Sequence, residues 1–306
     1  MDKIYDVIII GGGPAGYSAA LYTSRAALST LVIERMSIGG QMALTDIIDN
    51  YPGFDEGVDG FTLGMKMQSG AERFGSETLY SEVTSVSLEG KIKTVTTTDA
   101  TYSSRTVIIA TGANPRELGI ERESELVGKG IHYCAHCDGR FYKGKRVVVV
   151  GGGNSAVSDA LYLSGLASEV ILVHRRDTLR ATHIYHDPLM KASNVSFAWN
   201  STVGELYGDT RLQGIRLDST VGEESRKLDC DAVFVSIGRK PATELFDSLE
   251  LDTQGYIVAD ETTRTNIEGV FAAGDVRTKA LRQVVTAASD GATAAHFVEE
   301  YLALNG

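Results

Sequence analysis

No apolar run in this sequence of 306 residues approaches the roughly 18 residues of a membrane-spanning helix, which excludes a helical membrane protein. The chain enters a strand-like run at once, which leaves no room for a signal peptide and points to the cytoplasm. Proline is scarce, 5 residues against 33 glycines without a collagen period, so the chain is neither a Pro-rich disordered segment nor a fibre. Lys and Arg number 29 against 40 Asp and Glu, and the net charge of −11 counts against wholesale nucleic-acid binding. With only 3 cysteines there is no disulfide framework. No low-complexity tract or long charge block marks a tail, and the length suits about two domains.

What is present is a repeated pattern. Val7-Ile8-Ile9-Ile10 leads into Gly11-Gly12-Gly13-Pro14-Ala15-Gly16 and then the helix-like Tyr17 to Tyr22. Val147 to Val150 leads into Gly151-Gly152-Gly153-Asn154-Ser155-Ala156 and then Val157 to Tyr162. The copies lie 140 positions apart, and at that offset Ser18, Ala20, Leu21 and Tyr22 meet Ser158, Ala160, Leu161 and Tyr162. In each, the first glycine makes the tight turn, the second admits a pyrophosphate, and the third small residue lets helix and strand pack, with phosphates at the helix N-terminus. Each copy continues into another apolar strand, Leu31 to Ile33 or Val170 to Val173.

The ends of those strands differ. Twenty-three positions after Gly11 stands Glu34; 23 after Gly151 stands His174, followed by Arg175 and Arg176. A carboxylate accepts hydrogen bonds from ribose hydroxyls and repels a 2′-phosphate, whereas a basic triplet attracts one. The first site therefore suits FAD or NAD and the second NADPH, the alternative for Arg175 and Arg176 being a solvated turn.

Further strands are expected at Lys93 to Thr98, Thr106 to Ala110 and Ala232 to Ile237, and another, Gly269 to Asp275, before an Ala-rich helix from about Gln283 to Leu304. That last stretch has no equivalent in the second copy. The fold expected is α/β, two three-layer Rossmann-like dinucleotide-binding domains with the second inserted into the first: 1–113 and 243–306 for the host, 114–242 for the insert. The paired linkers near Ala113 to Leu118 and Arg239 to Glu244 would form a hinge.

Between the fingerprints lies Cys134-Ala135-His136-Cys137-Asp138. Two cysteines at this spacing suit a thiol pair that cycles through a disulfide, with Asp138 handling protons directly or through water. A metal reading stands beside it, since His132, Cys134, His136 and Cys137 fall within six positions, but tetrahedral zinc draws its ligand pairs from two segments and no second pair is evident. Cys230 reads as a small buried residue, and His183 with His186 as a solvated helix face. Lys129, Arg140, Phe141, Tyr142, Lys143, Lys145 and Arg146 form a basic and aromatic cluster, either a docking surface for an acidic protein or a charged turn.

In combination, Gly11 to Gly16, Gly39-Gly40-Gln41, Ala110-Thr111-Gly112, Cys134 to Gly139, Gly151 to Ala156, His174 to Asp177 with Arg180, and Gly274-Asp275 with Arg282-Gln283 resemble the low-molecular-weight thioredoxin reductases of bacteria, archaea and plants, across essentially the whole chain. The resemblance implies FAD against Gly11, Gly13, Pro14, Ala15, Gly16, Glu34, Arg35, Gly39, Gly40, Gln41, Asn50, Thr111, Gly112, Gly274, Asp275, Arg282, Gln283 and Val284. It implies NADPH against Gly151, Gly153, Asn154, Ser155, Ala156, His174, Arg175, Arg176, Arg180, Ile237 and Gly238. It implies further that Cys137 faces the flavin, that Cys134 attacks the disulfide of thioredoxin or a thioredoxin-like protein, that Asp138 moves the proton, and that the chain is a homodimer without a metal.

The sequence departs from that family at His136, where threonine is usual, and at Arg140-Phe141, where an aromatic pair is usual. Larger disulfide reductases carry their cysteines soon after the first fingerprint, and Met36 to Pro52 holds none. Other readings are a reductase of another disulfide protein or of an electron carrier, and a nucleotide-sensing flavoprotein without turnover, in which a dithiol would have no purpose.

Overall fold

The computed structural model describes residues 3–35, 38–45, 47–182 and 186–305. His183 lies outside them, as does the side chain of His186. The chain divides into two compact units, Met1–Asn114 with Lys240–Gly306, and Pro115–Arg239. Two short strands, Ala113–Pro115 and Arg239–Pro241, pair with each other where the chain passes from one unit to the other.

In the first unit, Ile4–Ile10 runs parallel to Thr30–Glu34 on one side and Thr101–Ile109 on the other, with Ile10 opposite both Ile33 and Ile109. Glu77–Tyr80 extends the sheet beyond Thr30–Glu34, and Val270–Ala272 pairs with the last part of Thr101–Ile109. The first part of Thr101–Ile109 instead takes the antiparallel strand Lys93–Thr97, which in turn pairs with Val83–Ser87. An unbroken apolar run fits a central strand because both its faces are covered. Ile8, Ile10, Val107 and Ile109 pack with Phe246, Leu249 and Ile257, and Val7, Ile9 and Ile108 pack under the helices Pro14–Arg25 and Val284–Asn305. Those helices touch at their backbones: a Cβ on Gly291 would stand 2.1 Å from the Ala15 carbonyl oxygen.

The second unit repeats the parallel core in the order Val195–Ala198, Glu169–Val173, Arg146–Val150, Ala232–Val235, Ile131–His132. The helix Asn154–Ser164 follows its fingerprint. An antiparallel sheet absent from the sequence reading, Ser201–Tyr207, Gly214–Ser219 and Arg226–Asp229, adds a further layer.

Candidate active site

Both fingerprints form strand, turn and helix, and their glycines differ in what a side chain would meet. Gly11 and Gly151 adopt φ of +108° and +149°, and a Cβ on either would lie 2.4 Å from a carbonyl oxygen, that of Ala110 or of Ser236. Gly16 lets the helix close on the turn, since a Cβ there would sit 1.9 Å from the Gly11 oxygen. At Gly13 and Gly153 a Cβ would meet no atom within 4 Å. No described residue crowds either position, and the space is what a pyrophosphate approaching a helix N-terminus needs. Both residues cap their helices without a side-chain hydrogen bond, which leaves the first backbone N–H groups for a ligand.

The segment after the second strand folds back onto the same glycine in both copies: Gly39 donates its N–H to the Gly12 oxygen at 2.9 Å, and Arg180 to the Gly152 oxygen at 2.7 Å. In the first unit Gly12 also donates to Oε2 of Glu34 at 2.7 Å, which pins that carboxylate beside the turn. In the same unit Gln41 donates to the Ala113 oxygen at 2.7 Å, Thr111 to the Ala242 oxygen at 2.8 Å, and Asn50 to Gln283 Oε1 at 2.9 Å. Arg282 lies 4.0 Å from the centroid of the Tyr256 ring. Sequence reasoning missed the anchor of Gly274, which donates its N–H to Asp290 Oδ2 at 2.9 Å, while Asp290 in turn holds Arg277 and Lys279.

In the second unit the ring of His174 takes the place of Glu34 and lies against Gly152, where a Cβ would fall 2.3 Å from it. Burial, followed by the charge of Arg180, pushes this imidazole below its usual range, with Arg175 and Arg176 acting the same way. Its Nε2 is buried without a hydrogen-bond partner, and Arg175, Arg176 and Arg180 are exposed and form no ion pair among the described residues. A neutral ring with an orphaned nitrogen beside three uncommitted guanidinium groups fits a phosphorylated ribose. Asn154 is partly engaged, its Oδ1 accepting from the Thr182 N–H at 2.8 Å.

Cys134 and Cys137 form a disulfide at the start of the four-residue helix Ala135–Asp138, both half-buried. Cys230 is a buried free thiol whose pKa burial raises to about 12, which keeps it out of thiolate chemistry. The four candidate metal ligands are drawn apart: His132 meets Asp138 and Tyr142, while His136 stacks on Tyr162 at 4.2 Å with Nδ1 3.7 Å from Asp159. No group of three or more metal-ligating side chains gathers among the described residues. Burial raises the pKa of Asp159, against the pull of its 2.5 Å hydrogen bond from Ser236 and of His136. Lys129, Arg140, Phe141, Lys143 and Lys145 are all exposed, and Arg140 lies 5.0 Å from the Phe141 ring centroid.

Comparison with known proteins accounts for this arrangement. A family model described as pyridine nucleotide-disulphide oxidoreductase matches residues 5–291. The thioredoxin reductase of Listeria monocytogenes is 51% identical over 304 residues, covering 98% of this chain and 95% of the relative. That of Bacillus subtilis is 47% identical over 304 residues, at 98% and 96%. The crystal structure of the thioredoxin reductase from Streptococcus pyogenes superposes with a TM-score of 0.91 at 42% identity, covering 99% of this chain and 100% of that one.

Proposed function

The chain belongs to the pyridine nucleotide-disulphide oxidoreductase family, and from that premise we infer how it works. It is a thioredoxin-disulfide reductase that uses FAD and NADPH, and it passes electrons through the Cys134–Cys137 pair to the disulfide of a thioredoxin. The observation that carries the reading is the Cys134–Cys137 disulfide, lodged in the same unit as the basic fingerprint while the acidic fingerprint belongs to the other.

The assignment of cofactor to unit follows from charge. Glu34, the open space at Gly13 and the wall of Gln41, Thr111, Gly274 and Arg282 suit FAD in the first unit. His174, Arg175, Arg176 and Arg180, with the open space at Gly153, suit NADPH in the second. When bound, the two cofactors supply hydride transfer and its conversion to dithiol reduction. The protein's own part begins with the reduced pair. Cys134 releases its proton to solvent and, as thiolate, attacks one sulfur of the partner disulfide to form a mixed disulfide, and the other partner sulfur leaves and takes up a proton from solvent. Cys137 gives its proton to Asp138 and attacks Cys134, which restores the enzyme disulfide; Asp138 returns that proton to the departing partner thiolate. Two electrons and two protons pass to the partner.

The dithiol and the basic fingerprint share one unit and both must serve a flavin held by the other, so they take turns, and the paired strands at Ala113–Pro115 and Arg239–Pro241 are the natural pivot. Phe141, exposed beside Arg140 and Lys143, offers the partner an apolar contact within a basic rim. A homodimer in a reducing cytoplasm completes the reading.

The test is an anaerobic titration of the flavin-loaded protein with NADPH, followed by oxidised thioredoxin. Bleaching of the flavin and its recovery with one thioredoxin disulfide reduced per NADPH is expected. Bleaching without recovery on thioredoxin would assign the dithiol to another partner.

A further inference from the structure

His132 stands on the two-residue strand Ile131–His132 at the edge of the parallel sheet, directly opposite Phe234. Its ring is buried and stacks on Phe234 at 5.3 Å, and Tyr142 closes the far side edge-on to Phe234 at 5.8 Å. Both ring nitrogens are used. Nδ1 lies 3.1 Å from Oδ2 of Asp138, and Nε2 lies 2.7 Å from the Tyr142 hydroxyl.

The tautomer follows from the two contacts together. Burial raises the pKa of Tyr142, opposed by nearby Arg211 and reinforced by Asp138 and Asp231, so its hydroxyl keeps its proton. The Nδ1 contact to the Asp138 carboxylate oxygen requires a proton on Nδ1, and the Tyr142 hydroxyl at 2.7 Å, which has its own proton to give, can then donate to Nε2. Asp138 immediately follows Cys137 and is half-buried, so a fixed donor behind its carboxylate decides where its oxygens sit. The other histidine of this segment is engaged elsewhere, with Asp159 and Tyr162.

We propose that His132 is a positioning residue for the thiol-exchange step: backed by Tyr142 and clamped on Phe234, it holds the Asp138 carboxylate beside the dithiol and donates to it from Nδ1. The proposal deepens the assignment of Asp138 as proton carrier and rests on it.

The flavin-loaded enzyme, reduced beforehand with NADPH, is mixed with oxidised thioredoxin, and the rate of thioredoxin reduction is followed across the acid and neutral range. In the unaltered protein the rate falls on the acid side, and Asp138→Asn abolishes that limb. His132→Phe keeps the ring volume and the stack but removes the donor, and the limb moves upward by about one to two pH units. His132→Asn, whose amide N–H can stand near the place of Nδ1, moves the limb back toward its original position. Tyr142→Phe frees the tautomer and moves it upward by less. A purely structural role for His132 would lower the rate at every pH and leave the limb in place. An unmoved limb in His132→Phe, with the limb still abolished by Asp138→Asn, overturns the inference alone; a limb that survives Asp138→Asn overturns the assignment of Asp138 as well. Should His132→Phe fail to hold FAD, Tyr142→Phe decides, and an unmoved limb there overturns the inference.

Discussion

Asp290 takes both arms of the Arg277 guanidinium, Nε to Oδ2 at 2.9 Å and Nη2 to Oδ1 at 3.0 Å, in a site where both side chains are almost wholly buried. Lys279 adds a third contact at 2.7 Å, so two cations share one carboxylate. Breaking such a group from the anionic side leaves two buried charges uncompensated, at a cost of about 3–5 kcal/mol. Asp290→Asn should therefore lower the urea midpoint markedly and, because Gly274 hangs on the same carboxylate, weaken FAD retention as well. An unchanged midpoint would show that the triad is neutral to stability.

The same residue gives a pH signature. Burial alone would raise the pKa of Asp290, but hydrogen bonds from Arg277 and Lys279 outweigh it and hold the carboxyl below its ordinary range. A depressed native value means that the contribution is complete above the unfolded value of about 4 and is lost as pH falls through the native value. Stability measured against pH should fall less steeply below about pH 4 in Asp290→Asn than in the unaltered chain.

Arg175 and Arg176 are exposed at the mouth of the second fingerprint. Replacing both with neutral residues should raise the KM for NADPH about ten-fold or more and leave that for NADH nearly unchanged, each lost charged hydrogen bond being worth roughly 1.5–3 kcal/mol. Equal losses for the two cofactors in steady-state kinetics would remove these residues from phosphate recognition.

Cys134→Ser should leave the Cys137 thiolate beside the oxidised flavin and give a long-wavelength absorption band, which Cys137→Ser should lack. Neither variant should turn over thioredoxin. The reverse pattern of spectra would exchange the roles of the two sulfurs.

His136 stacks on Tyr162 and stands 3.7 Å from Asp159. A cation between the two cysteines stabilises thiolate and with it the reduced pair. His136→Thr should move the dithiol potential to a more negative value in a redox titration, and an unchanged value would make the ring a spectator.

The parts of this molecule legible in its sequence are those whose cause is local. Gly11 turns where only a positive φ will do, Gly16 lies against the turn it follows, and Glu34 and His174 stand at a fixed count from their glycines, so both fingerprints and their charge contrast can be read directly. The rest depends on partners brought together by topology. His132 offered only a metal-ligand reading because its stacking partner, Phe234, lies in a strand far along the chain. Lys93 looks like a surface residue on an alternating strand, yet it is 1% exposed, with its ammonium donating to the Gly90 oxygen at 2.7 Å. The meander from Ser201 to Asp229 escaped notice because much of its outer strand is exposed and carries no apolar alternation.

The burial of Cys230 turns the chain into its own stoichiometric standard. A thiol-reactive dye applied to the native protein passes over that sulfur, so the oxidised form labels at none of its 3 cysteines and the reduced form at the Cys134–Cys137 pair only. The number of dye molecules per chain then reads out the population of the catalytic couple directly, and the last cysteine becomes visible only when the second unit unfolds.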